Sequence, residues 1–302
     1  NEAAKQREHT KKLSSEQAEI TARSLQLRLQ FPNRTHKDVP SGPERNARIL
    51  GIGGPHGLLP TSAQSAVGKS LHEADDKTTA EEGHDHLAVA EQLSGSYGGI
   101  DRRSGVLATG PSWPYLLGRM SMLEHALAQY ALSVAAQRGY IVVSPPEVVK
   151  TDIAARCGFN PRDEKASQTY HVTAQLDKDV DTQEGGEFCL VGTAEISIAA
   201  LLAGRTFPAP RDGDQDSAST APTIGLDSLS KQNLPLRLVA LSHSFRAEAG
   251  ARGTDTRGLY RVHQFSKAEL FIVCSASQSE AMLEDLRHVQ EHLISSLGLP
   301  YR

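Results

Sequence analysis

The sequence predicts an α+β fold: a mostly antiparallel sheet flanked by helices, preceded by an N-terminal helical arm. Three observations carry this reading. Long helical segments stand between short apolar strands. Two segments, "LPLRLVALSHSFRAE" (234–248) and "YRVHQFSKAELFIVC" (260–274), read as strands joined by a glycine-rich connection, the pattern of a long hairpin. Residues 1–31 place Leu13, Ile20 and Leu27 seven apart among Lys, Arg, Glu and Gln, as in one seam of a coiled coil or helical hairpin.

In chain order, Pro32 ends the first helix. Residues 32–97 are rich in Gly, Ser, Pro and His and read as a linker with irregular structure. His84 and His86 stand there in "HDH". No further ligands lie at metal-site spacing, so loop polarity is the plainer reading. The stretch "YLLGRMSMLEHALAQYALSVAAQRG" predicts a helix, with Leu116, Leu117, Met120, Leu123, Leu127 and Ala131 at helical spacing and Gly139 at its end. "YIVVSPPEVV" follows as a short buried strand stopped by Pro145 and Pro146, and "EFCLVGTAEISIAALLAG" as a strand running into a helix. "QSEAMLEDLRHVQEHLISSLG" is a clear amphipathic helix. The main domain therefore spans 98–302.

Composition bounds the function. The 302 residues are 38% hydrophobic and 23% charged, enough apolar material for a sizeable core. A net charge of −4 gives no overall basic field for bulk nucleic-acid binding. The charge is uneven, however. Residues 1–50 hold 10 Lys/Arg against 6 Asp/Glu, which leaves −8 on the remainder. A basic arm on an acidic body suits a nucleic-acid contact, and it equally suits a solvated helix. Cys157, Cys189 and Cys274 are too far apart for a zinc or redox motif, which points to a reducing compartment, with Cys189 and Cys274 in the core. The longest apolar run, around Leu190–Gly204, is short and contains Glu195, so no membrane span is expected. The chain starts at Asn1 rather than Met, as after removal of a targeting peptide or in a fragment.

The chemistry concentrates in the hairpin. Alternation puts His263, Phe265, Lys267, Glu269 and Phe271 on one face, and Val262, Gln264, Ala268, Leu270 and Ile272 on the core face. Phe265 and Glu269 then lie about 13 Å apart, at roughly 3.3 Å per residue. Such a face could hold a flat base at one end and an amine at the other. Arg246 and Glu248 sit on the partner strand, Arg246 offering a planar fork of donors for phosphate or carboxylate. Arg252 and Arg257 lie in the connecting loop. An exposed hairpin with cross-strand Arg–Glu pairs fits the same spacing.

"FRAEAGARGTDTRGLYRVHQFSKAE" (245–269) resembles motif 2 of seryl-tRNA synthetases, a class II aminoacyl-tRNA synthetase family. "LVGTAEI" (190–196) resembles the family's Thr-Ala-Glu serine-specificity loop, and "RGYIVVSPPEVV" resembles motif 1. "FPNRTHKDVPSG", "HDHL" and "LISSLGLPYR" are also similar to family segments, with poor agreement near 61–80 and 206–232. The resemblance implies a class II catalytic domain that uses ATP and Mg²⁺ to form seryl-adenylate and charges tRNA(Ser). It implies that Arg246 bridges the α-phosphate and the serine carboxylate, that Ala247 and Glu248 bind ATP near the adenine, that Val262 meets ATP through its backbone, and that Phe265 stacks on the base. Thr193, Ala194, Glu195 and Glu269 would surround serine; Thr193 and Glu195 equally suit a helix cap. Arg252 and Arg257 would reach the tRNA acceptor end. His263 reads as a packed, hydrogen-bonded histidine, and no metal ligands are expected within this chain.

The resemblance further implies a homodimer through motif 1, and residues 1–31 as the end of a tRNA-gripping helical arm. Motif 3, which the family places after motif 2, is not found before Arg302. An incomplete copy is therefore expected, with a synthetase-like binding module or a carrier-protein-loading enzyme as alternatives. The divergent insertions point to a fungal or organellar form, in the mitochondrial matrix, with the cytoplasm as the other possibility.

Overall fold

The computed structural model describes residues 2–29, 31, 34–43, 46–54, 86–94, 99–159, 168–172, 187–207, 234–248 and 258–302. Helix α1 (Glu2–Leu29) matches the N-terminal expectation. Leu13, Ile20 and Leu27 are all exposed along it, so the seam lacks a covering partner among the described residues. The stretch 32–97 is not wholly irregular, because His86–Ser94 form helix α2, which packs on α4 (Arg119–Gln137). Strands β1 (Ile100–Asp101) and β2 (Tyr115–Leu116) pair antiparallel around the short helix α3 (Arg102–Ala108).

Helix α4 begins later than its apolar spacing predicts. Leu116 belongs to β2, and Gly118, at φ 53°, turns the chain into the helix. Nor is the whole apolar stripe core. Met122, Leu123 and Leu127 are exposed, while Leu132 and Ala135 reach the interior. Gly139, at φ 80°, follows the helix end as expected. "YIVVSPPEVV" yields two strands rather than one, β3 (Ile141–Val143) and β4 (Val148–Lys150), separated by the Pro-Pro pair and placed in different sheets.

The hairpin forms as read. Strand β7 (Leu236–Phe245) pairs antiparallel with β8 (Gln264–Val273) from Leu236↔Val273 to Phe245↔Gln264, and β3 adds to the other edge of β7 in parallel. A second, antiparallel sheet orders β4, β6 (Phe188–Leu190) and β5 (His171–Val172), with helix α5 (Thr151–Arg156) after β4. Helix α6 (Ala194–Leu202) follows β6. It lays Ala194 and Ile198 on Leu236, Leu238 and Ala240 of β7, with Phe271 and Val273 packed alongside. The opposite face of the sheet is covered by α4 and by α7 (Ser279–Ser296), through Ala135, Tyr140, Val239, Leu270, Ile272 and Leu286.

Phe271 is thus core, not part of the open face, because α6 covers that end of the strand. On the other face Gln264 and Ala268 are exposed, so the core claims only the end of the strand around Leu270 and Ile272. Among the cysteines, Cys189 is fully buried, whereas Cys274 is only partly so, against the expectation of a core residue.

Candidate active-site face

The site grows from the half of the hairpin that α6 leaves uncovered. Along β7 the residues facing α6 shrink from Leu236 and Leu238 to Ala240, Ser242 and Ser244. Across the ladder Ala240 faces Glu269, Ser242 faces Lys267 and Ser244 faces Phe265. Small side chains on one strand leave room above charged and aromatic ones on the other. Ser242 and Ser244 are buried, and neither Oγ has a hydrogen-bond partner among the described residues. Such orphaned hydroxyls are costly unless a ligand or water meets them.

Thr193 ends the turn after β6 and caps α6. Its Oγ1 accepts from the Glu195 backbone N–H at 3.4 Å and donates to Glu269 Oε2. One hydroxyl thus caps the helix start and fastens it to the hairpin. Ala194 is buried beneath, whereas Glu195 is exposed beside Cys157. Burial pushes the Cys157 thiol up, and the Glu195 charge adds to it.

Glu269 carries a second partner, the Lys267 ammonium, with Nζ 2.5 Å from Oε2. At the other end of the face, the Arg246 guanidinium lies over the Phe265 ring, 5.2 Å from its centre. Lys267 and Arg246 therefore rest on the face's own groups.

Beyond Arg246 the chain is held by residues the sequence reading did not single out. Gln168 accepts from the backbone N–H groups of both Ala247 and Glu248, at 3.0 and 3.1 Å, using its carbonyl and its side chain. Glu248 takes φ 49°, a left-handed conformation uncommon outside glycine, and its carboxylate pairs with Arg261. Strain of this kind persists where surrounding bonds over-determine it, and Gln168 supplies them. Val262 is half-buried between Arg261 and His263.

His263 is packed and hydrogen-bonded. Its ring stacks on Trp113 at 5.4 Å and 13°, and Nδ1 lies 3.0 Å from the Arg246 carbonyl and 2.8 Å from the Tyr170 hydroxyl. Burial, and next the Glu248 charge, push the Tyr170 phenol up. Trp113 is the sequence's one tryptophan, set between Pro111 and Pro114, which was a usable signal; nothing local marks Gln168 or Tyr170.

Arg252, Arg257 and His84 lie outside the described residues. His86, at the start of α2, accepts from the Leu259 N–H at 3.0 Å. Gly258, at φ 63°, sits so close that a Cβ there would lie 2.0 Å from His86 Nε2.

Residues 217–302 match the family model described as "tRNA synthetase class II core domain (G, H, P, S and T)". The chain is 32% identical over 302 residues to the mitochondrial serine–tRNA ligase of Schizosaccharomyces pombe, covering 100% of this chain and 52% of that protein. It is 32% identical over 296 residues to a serine–tRNA ligase of Rhodopirellula baltica, covering 98% of this chain and 56% of that one. The chain thus spans about half the length of these curated relatives. Among solved structures, the Pyrococcus horikoshii seryl-tRNA synthetase complexed with ATP superposes with a TM-score of 0.69 at 25% identity, over 96% of this chain and 57% of that one. The cytoplasmic serine–tRNA ligase of Naegleria fowleri in complex with AMP, at 24% identity and TM-score 0.69, shares the fold over 96% of this chain and 56% of its own.

Proposed function

The chain carries a class II tRNA synthetase core and is a homologue of serine–tRNA ligases, and from that premise we propose that its protein activates serine with ATP and charges tRNA(Ser). The observation that carries this reading is the contact between Thr193 and Glu269. It joins the Thr-Ala-Glu turn to the motif 2 strand across 76 residues of sequence, at one end of a face whose other end is Phe265.

In this reading Glu269, Thr193 and Glu195 receive the ammonium and hydroxyl of serine, with Ala194 forming the turn's floor. The adenine stacks on Phe265 once Arg246 leaves the ring for the α-phosphate and the serine carboxylate. Glu248, Ala247 and the Val262 backbone border the base. The serine carboxylate attacks the α-phosphorus in line, and pyrophosphate departs with the broken bond's electrons. The ribose hydroxyl of tRNA then displaces AMP from the seryl carbonyl. Most of the barrier falls through positioning and through Arg246 meeting the developing negative charge.

Among the described residues no group of three or more His, Cys, Asp or Glu comes together to hold a metal. Mg²⁺ bound with ATP would neutralise part of the phosphate charge. Arg252 and Arg257 are assigned to the tRNA acceptor end. Substituting Arg252→Ala should slow transfer and spare adenylate formation; lost adenylate formation would refute that role.

Residues 1–31 are assigned to the tRNA-binding arm, 32–97 to a connecting segment and 98–302 to the catalytic domain. The exposed Met122, Leu123 and Leu127 of α4, with Val142 of β3, support a homodimer through motif 1, which sedimentation of the full-length protein would test. Exposure of such apolar residues at adjoining elements is the usual mark of an interface. The mitochondrial relative supports a matrix location over the cytoplasm, and fractionation with a tagged full-length protein would decide it. No described helix is long and apolar enough to cross a membrane.

The deciding experiment is serine-dependent ATP–pyrophosphate exchange by the full-length protein. No exchange, with tRNA binding retained, would replace the ligase reading with a binding module.

A further inference from the structure

We infer that Lys267 is a resident counter-ion of Glu269, displaced by the amino group of the incoming substrate and transferred to the anionic centre of the reaction. The inference rests on the reading of this face as a serine and ATP site.

The amine end of the face already holds a cation of its own. Glu269 Oε2 holds the Lys267 ammonium at 2.5 Å and accepts the Thr193 hydroxyl as well. Lys267 and Glu269 are two residues apart on β8 and share a face, and their side chains are only 29% and 22% exposed. In such partial burial a carboxylate binds one ammonium well. A second cation on the same oxygen would meet repulsion that water screens poorly. A substrate ammonium therefore competes with Lys267 for Glu269, and one that takes Oε2 displaces it.

The register says where Lys267 goes. It lies opposite Ser242, between the Ala240↔Glu269 pair and the Ser244↔Phe265 pair. It thus stands between the amine end and the base end, where a carboxylate and an α-phosphoryl group would meet. Ser242 Oγ is buried directly across the ladder and has no partner among the described residues, so it is an acceptor in waiting. An ammonium needs up to three acceptors. Ser242 and the two substrate anions supply them once Glu269 is surrendered. The exchange leaves the charge count of the face unchanged: one ammonium replaces another on Glu269, and the released one neutralises the reacting anions. Occupation of the amine pocket is thereby coupled to electrostatic preparation of the phosphoryl centre.

The test separates the two ends of the exchange in the full-length protein. Ethanolamine, which is serine without its carboxylate, probes the Glu269 end alone. In Lys267→Met it should bind more tightly by about fivefold, because its competitor is gone. The same variant should lose about tenfold or more of the ATP–pyrophosphate exchange rate at saturating serine, because the reacting anions lack their cation. Lys267→Arg keeps the charge and should restore the rate. Ethanolamine affinity that is unchanged or weaker in Lys267→Met, or an undiminished rate, overturns the inference. A wild-type protein that neither binds serine nor catalyses exchange overturns the underlying reading and this one with it, and that result appears without any substitution.

Discussion

The β7–β8 ribbon is one continuous ladder with two unlike halves. From Leu236 to Val239, opposite Leu270 to Val273, it is clamped between α6 and the α4–α7 layer, and its facing residues are Leu238, Phe271, Val239 and Ile272. From Ala240 to Phe245, opposite Gln264 to Glu269, the backbone pairing is the same, but the facing residues are Ser242, Ser244, Glu269, Lys267 and Phe265. One half derives its stability from apolar burial. The other holds partly desolvated charges and orphaned hydroxyls, an arrangement that costs stability and makes sense only as a site. A working surface is here held flat by bolting its far end into the core.

Substitutions on the two halves should separate these roles. The largest effect belongs to the site half. Glu269→Ala should cut serine-dependent exchange by about a thousandfold, close to abolition, while the unfolding midpoint barely moves; an unchanged exchange rate would end the serine assignment. Next comes the clamped half. Leu238 is fully buried, and Leu238→Ala should cost about 2–5 kcal/mol in denaturant unfolding while the KM for serine stays put in the folded fraction. A loss below about 1 kcal/mol would mean that this half is not the anchor.

A smaller effect is expected where the loop rejoins the ribbon. Gly258→Ala, with φ positive and His86 against the missing Cβ, should cost about 1–3 kcal/mol, read by thermal unfolding. Smaller still is Ser244→Ala. Removing an unpartnered buried hydroxyl should change ligand-free stability by less than about 1 kcal/mol, in either direction. A loss of several kcal/mol there would reveal a partner and erase the contrast between the halves. Asp152→Ala breaks an exposed pair with Arg156 on α5, and about 0.5 kcal/mol or less is expected.

The hairpin was legible because a period of two, a glycine-rich connection and a charged face are local properties. So was the Thr193 cap, which needs only its own turn and the next N–H. Phe271 was misassigned because alternation tells which side of a strand a residue is on, not which helix lies over that side. The exposed Leu123 and Leu127 failed for the matching reason, since helical spacing marks an apolar stripe without saying whether this chain or another covers it. Gln168 and Tyr170 carry no local mark as supports for Glu248 and His263, because they meet them from far along the chain.

By itself, then, the sequence determined the hairpin, its charged face, the Thr-Ala-Glu turn and the family they resemble, all of which are written in spacing over a few residues. Tertiary structure alone decided which half of the hairpin is core and which is site, that Thr193 reaches Glu269, and that Lys267 and Arg246 rest on Glu269 and Phe265. Those outcomes depend on where α6 stops covering the sheet and on which charges are then left too dry to stay unpaired. Chain order carries no distance between a residue and a helix packed against it from elsewhere in the sequence.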